Sequence, residues 1–133
     1  MKYNYTIYIG RSTWQYEYCC LTVGSTRRTI EDRETEKGFT ALYTFTKLMT
    51  RADAQSIEGY AHTIADRYFE PRAVVKNGWF DRSGARPNRT KDWWYCTPSK
   101  EFIALIMHAI SEGYAKRFKV ELQHPHYTQS LDE

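Results

Sequence analysis

The stretch "FTALYTFTKLMTRADAQSIEGYAHTIADRYFEP", Phe39–Pro71, decides the fold class, because its periodicity changes part-way along. Its first part interleaves threonines with aromatic and aliphatic residues and reads as a strand from about Phe39 to Leu48. Thr50 then opens a helix. Asp53 stands three residues later, where its carboxylate answers the cap's backbone donor in a variant of the capping box. Ala54, Ile57, Ala61, Ile64, Ala65 and Tyr68 recur every three or four residues and form an apolar stripe. Pro71 enforces the stop and biases Glu70 out of helical geometry. One strand and one amphipathic helix side by side predict an α+β protein.

Working outward, Thr97-Pro98 marks a second helix start, a hydroxyl cap with proline at the first helical position. That helix runs to about Ala115. It is apolar on nearly all sides from Phe102 to Ile110, which makes it the more buried of the two. "AVVKNGWF" (Ala73–Phe80), "DWWYC" (Asp92–Cys96) and "RFKVELQ" (Arg117–Gln123) read as strands. The order from Phe39 is strand, helix, strand, strand, helix, strand. It predicts a ferredoxin-like βαββαβ core, an antiparallel sheet with two helices on one face.

Ahead of it, "YNYTIYIG" places Tyr3, Tyr5, Ile7 and Ile9 on one face and Asn4, Thr6 and Tyr8 on the other. "GRST" (Gly10–Thr13) is expected to turn the chain into a second strand, "WQYEYCCLTV" (Trp14–Val23), giving an N-terminal β-hairpin. Gly24–Gly38 is polar throughout without a convincing helical face and is expected to be a mobile loop. Residues 1–123 are expected to form a single α+β domain, and 124–133 a flexible C-terminal tail. The open face of the sheet, lined with Tyr and Trp, would suit self-association.

At 133 residues, with 41% hydrophobic and 26% charged, the chain is long enough for one core and is not of disordered composition. Its longest apolar run, Phe102–Met107, falls far short of the ~20 residues a spanning helix needs. No secretory signal is legible at the N-terminus, so a cytoplasmic location is the expectation. The three cysteines, two of them adjacent, do not form a disulfide framework and read as reduced structural thiols. A net charge of +3 permits an anionic partner over a short track.

Enzymatic motifs are sparse. His62 with Asp66, and His108 with Glu112, share helix faces at i,i+4, a spacing that serves a base and its orienting carboxylate but equally an ordinary helix contact. His124 and His126 have no acidic or thiol partner spaced to complete a metal site. There is no phosphate-binding glycine loop, and no cofactor is implied. "IYIGRS", Ile7–Ser12, is similar to the Tyr-Ile-Gly half of the GIY-YIG nuclease signature. That resemblance implies a Gly-Ile-Tyr element on a strand about ten residues earlier, an Arg on a following helix, and a later Glu that binds a metal. Only seven residues precede Tyr8, with no Gly-Ile-Tyr among them, and "WQYEYCCLTV" reads as strand where the family has its helix.

The richest stretch for binding is "NGWFDRSGARPNRTKDWWYC", Asn77–Cys96. Arg82, Arg86 and Arg89 are guanidinium forks suited to phosphate oxygens. Trp79 and Trp93 or Trp94 flank them and can stack a base. Arg27 and Arg28 add a second basic pair, and Arg11 lies in the first expected turn. If these turns share an edge, Arg82, Arg86, Arg89, Trp79, Trp94, Arg27, Arg28 and Arg11 line one site. The expected function is non-enzymatic capture of a phosphate-bearing ligand, a small or cyclic nucleotide or short single-stranded nucleic acid. Such a protein would fit a phage or plasmid accessory role. The alternative is a protein–protein adaptor or inhibitor using an aromatic sheet surface, since Tyr, Trp and Arg also dominate binding hot spots.

Overall fold

A computed structural model describes residues 1–12, 20–71, 93–95 and 99–123. The described elements are β1 (Tyr3–Ser12), β2 (Cys20–Thr26), α1 (Ile30–Lys37), β3 (Phe39–Met49), α2 (Arg51–Tyr68), β4 (Glu70–Pro71), β5 (Trp93–Tyr95) and α3 (Ser99–Phe118). The protein is α+β. The three long strands form the body of an antiparallel sheet, β2-β1-β3, and the short β5 and β4 extend it beyond β2 in the order β3-β1-β2-β5-β4.

The expected ferredoxin-like order is not the one observed. The N-terminal strand β1 is not an appendage but the centre of the sheet, pairing β2 on one side and β3 on the other. β1 earns that position because Tyr5, Ile7 and Ile9 are all buried on one face while Tyr8 is buried on the other. A strand covered on both faces belongs in the interior of a sheet. The closing strand is also replaced. α3 continues through Phe118, Lys119 takes a left-handed conformation (φ 56), and the Val120 N–H bonds back to the Ala115 carbonyl at 3.0 Å. That is a Schellman-type helix end, and residues 119–123 form no strand.

The expected turn at Gly10–Thr13 is likewise corrected, because Gly10, Arg11 and Ser12 are strand. Arg11 pairs with Leu21 and Thr6 with Thr26, so the chain reverses between Ser12 and Cys20. Glycine at position 10 has a packing reason rather than a turning one. An added Cβ there would lie 2.4 Å from the Phe39 ring.

The expected loop at Gly24–Gly38 holds the end of β2 and all of α1. This helix buries no residue, which is why no apolar stripe announces it. Its ends carry the information instead. The Thr29 hydroxyl accepts from the Asp32 N–H at 3.2 Å, Glu31 and Asp32 occupy the first turn, and Gly38 (φ 73) closes the last.

α2 and α3 pack together on the face that carries Ile7, Ile9, Leu21 and Val23. Ala54, Ile57, Ala61 and Ala65 supply α2's buried stripe, and Phe102, Ile103, Ile106, Met107 and Ile110 the larger one on α3. The Thr50–Asp53 capping box is present in both directions, each bond at 3.1 Å. Tyr68, assigned to the stripe by its spacing, is exposed. Among the described side chains the other face is not an open aromatic surface. α1 meets it, and Tyr8 and Phe39 stack there at 4.7 Å out of contact with water. Thr44 and Thr46 are exposed and Thr6 half-buried beside them. The expected strand at Ala73–Phe80 and the tail 124–133 lie outside the described residues.

Candidate active site

Of the residues expected to form one ligand site, Arg11, Arg27, Arg28 and Trp94 are described, and these four do not converge on one space. Arg82, Arg86, Arg89 and Trp79 lie outside the described residues. Trp94 is fully buried, its indole N–H donating to Asp66 Oδ1 at 2.8 Å and its ring packed against His62 and Phe102. It is a core residue, not a platform for a base. Arg11 pairs with Leu21, whereas Arg27 follows the last residue of β2, so six strand residues, about 20 Å, separate them along the ladder. Arg28 is held by Glu36 on α1. Arg27 alone of that pair turns elsewhere, its guanidinium 4.1 Å from the centre of the Tyr3 ring.

A different group of side chains converges where β1, β2, α1 and α2 meet. Tyr8, Thr22, Val23, Gly24, Arg33, Lys37 and Glu58 line a small cavity of about 30 Å³. That is room for a water molecule or one phosphoryl oxygen, not for a nucleotide. Tyr8 stands opposite Gly24 in the β1–β2 ladder, and only glycine leaves its ring room, since an added Cβ would sit 2.4 Å from the hydroxyl oxygen. Arg33 Nε donates to that hydroxyl at 3.2 Å, and Arg33 Nη1 to Glu36 Oε1 at 2.6 Å. Burial works to lower the guanidinium's pKa, but the Tyr8 oxygen and the Glu36 carboxylate outweigh it and raise it above its ordinary value. Glu36 itself is held below the usual carboxylate range, first by Arg28 and then by Arg33. Arg33 therefore presents a permanent positive charge beside a phenol oxygen.

Glu58 reaches the cavity from α2, round the edge of β2. The described pairing of β5 with β2 runs from Cys20 to Thr22, and α2 side chains meet β2 further on, at Val23 and Ser25. Ser25 Oγ donates to Glu58 Oε1 at 2.6 Å, and His62 Nε2 lies 3.4 Å from Glu58 Oε2. The same Nε2 is 2.8 Å from the Val23 carbonyl, an acceptor only, which places the proton on that nitrogen. His62, expected beside Asp66, thus bonds the β2 edge and steadies Glu58, while Asp66 holds Trp94. A tyrosine, two cations and a fixed carboxylate around a water-sized space form a site that can bind and polarise a phosphate.

Glu58 also borders a second, larger groove of about 500 Å³, formed by Tyr5, Ser25, Thr26, Arg27, Arg51, Ala54 and Gln55. The two spaces therefore share one lining residue, the Glu58 carboxylate.

Sequence reasoning missed Tyr8, Arg33, Lys37 and Glu58. The only signal pointing their way is the Ile7–Ser12 resemblance, which implies an Arg on a following helix and a later Glu. Among the described residues no group of three or more His, Cys, Asp or Glu side chains is placed to hold a metal. No described helix is long and apolar enough to cross a membrane. No family model, curated protein or solved structure matches this chain.

Proposed function

We propose that this protein binds phosphate-bearing nucleic acid and hydrolyses a phosphodiester at the Tyr8–Arg33–Glu58 cavity. The observation that carries the reading is convergence. Three elements spread from Tyr8 to Glu58 in sequence, β1, α1 and α2, deliver a phenol, a guanidinium, an ammonium and a carboxylate to one water-sized space. The sequence-based expectation of binding without turnover rested on finding no such set.

The resemblance to GIY-YIG nucleases gains support in order, though not at the residues first quoted. Ile7-Tyr8 on β1 takes the place of the first half and Val23-Gly24 on β2 that of the second. Arg33 follows on a helix and Glu58 comes later. Thr22 stands where that pattern's second tyrosine would be, so Tyr8 is the one phenol among the residues lining the cavity.

The chemistry follows from the groups present. Attack of water on a phosphodiester builds negative charge on the non-bridging oxygens, and Arg33 and Lys37 are placed to neutralise it. Tyr8 orients the water, its ring fixed by Phe39 and its oxygen by Arg33. A divalent cation of the kind the resemblance implies would be held by Glu58, one hard carboxylate of the sort Mg²⁺ takes while keeping its waters, and would supply Lewis-acid polarisation of the phosphoryl oxygen.

The expected arginine loop keeps its place in this proposal as a means of capture. β4 runs parallel in direction to β2, so at Pro71 the described chain points toward the Arg27 end. Arg86→Ala or Arg89→Ala is expected to weaken nucleic-acid binding with unchanged far-UV circular dichroism. The adaptor reading remains the alternative; Tyr5, Tyr8 and Trp94 are buried and offer it no surface, whereas Tyr3 is exposed.

The test is turnover of bis(p-nitrophenyl) phosphate and of a fluorophore-labelled oligonucleotide in Mg²⁺ or Mn²⁺. Tyr8→Phe, Arg33→Ala and Glu58→Gln are each expected to lower the rate about 10²–10³-fold with the fold intact. Wild-type protein that binds the oligonucleotide and cleaves neither substrate would return the protein to the class of non-enzymatic binders.

A further inference from the structure

The groove beside the active site holds two arginines whose donors are not spent on carboxylates among the described residues. Among the described residues Arg28 and Arg33 are engaged by Glu36, and Arg117 by Asp53 at 2.8 Å, whereas Arg67 makes no ion pair but lines neither space. Arg27 and Arg51 make no ion pair among the described residues, and both line the same groove. Arg27 leaves the end of β2, and Arg51 opens α2. The Tyr3 ring holds the Arg27 guanidinium from below by a cation–π contact, which places the group without consuming its N–H donors. Ser25, Thr26 and Gln55 add neutral polar groups, and Tyr5 forms an apolar wall.

Size and charge together say what this groove accepts. At about 500 Å³ it falls within the range of a nucleotide-sized ligand, unlike the water-sized cavity next to it. Two cations against the single carboxylate of Glu58 leave it positive, and that carboxylate lies on the border with the active site. A guanidinium pair presenting unspent forks suits phosphate oxygens.

We propose, resting on the phosphodiesterase reading above, that the Arg27–Arg51 groove is a subsite for the phosphate and nucleoside adjoining the scissile bond. The substrate is then a polynucleotide strand that spans both spaces, not an isolated nucleotide or a simple diester. The reacting phosphate sits at Tyr8 and Arg33. Its neighbour sits between Arg27 and Arg51, and Glu58 stands between the two.

The experiment compares two substrates in Arg27→Ala, Arg51→Ala and the double variant, all full-length and checked by circular dichroism. Bis(p-nitrophenyl) phosphate fills only the reacting position, whereas a short fluorescein-labelled single-stranded DNA or RNA reaches the groove. Each single substitution is expected to weaken oligonucleotide binding about tenfold, the yield of one charge-assisted contact. The slope of log affinity against log salt should become shallower by about 0.7 per arginine. Turnover of the small diester should stay at the wild-type rate. Unchanged oligonucleotide affinity in the double variant overturns the subsite while leaving the active site standing. Equal loss on both substrates overturns it too, because the arginines would then serve the reacting phosphate. If wild-type protein cleaves neither substrate the phosphodiesterase reading fails, and with it the subsite. A DNA-only or RNA-only effect supports the subsite and tells which strand it takes.

Discussion

Gly24→Ala should destabilise this protein, although alanine is ordinarily the better residue in a strand. The added Cβ would stand 2.4 Å from the Tyr8 hydroxyl oxygen and 2.6 Å from its Cζ, so the ring must retreat by about 1 Å to reach ordinary contact. Retreat is obstructed. Tyr8 is 3% exposed, lies on Phe39 with ring planes 7° apart, and is bonded to Arg33. Overpacking of this kind costs about 1–3 kcal/mol. Replacing strand glycine by alanine returns about 0.5–1 kcal/mol, for a net loss of about 1–2 kcal/mol. Urea denaturation followed by circular dichroism measures it. The control is Tyr8→Val, which keeps a β-branched strand residue and removes the ring. In that background Gly24→Ala should be neutral or stabilising by about 0.5 kcal/mol, a coupling of about 1.5–2.5 kcal/mol across the cycle. Equal cost in both backgrounds would refute the packing of Tyr8 over Gly24, and with it the geometry of the cavity.

Trp94→Ala should cost about 3–5 kcal/mol, since the ring is wholly buried, and lower the melting temperature by more than ~10 °C. Trp94→Phe should cost less, because Asp66 is exposed enough to recover water when it loses the indole donor; calorimetry of both separates packing from the hydrogen bond. Asp53 is held below the usual carboxylate range by Arg117 first and then by the Thr50 N–H. Its contribution is present above about pH 4 and lost as pH falls through the depressed folded value. Asp53→Asn should therefore lower stability at neutral pH, by about 1 kcal/mol for a cap, and flatten the acid limb of the stability profile. Lys119→Gly should stabilise the protein by about 1 kcal/mol in thermal melts, because glycine takes the left-handed geometry at the end of α3 without penalty.

What could be read from residues alone was whatever local chemistry settles. The Thr50–Asp53 box and the stripe from Ala54 to Ala65 define α2 within a few turns of chain, and the structure keeps both. The apolar run from Phe102 marks α3 as the more buried helix, and the alternation of Tyr5, Ile7 and Ile9 assigns β1 its two faces. α1 escaped because it buries nothing, so only its caps, Thr29 and Gly38, distinguish it from a loop. Strand order escaped for another reason. Period two says which residues share a face but not which strand lies alongside, and it was the pairing of β1 with both β2 and β3 that made it central. The site belongs entirely to that second kind of information. Tyr8 meets Arg33 across 25 residues of chain, and Glu58 arrives from a third element, so no spacing rule links them. Residue spacing alone was enough for α2 with its cap, for the buried run of α3 and for the two faces of β1, because those depend on neighbours within a turn or two. That a phenol, a guanidinium and a carboxylate face one space came from the folded chain, because it follows from long-range strand pairing and from which side of β2 each helix packs against.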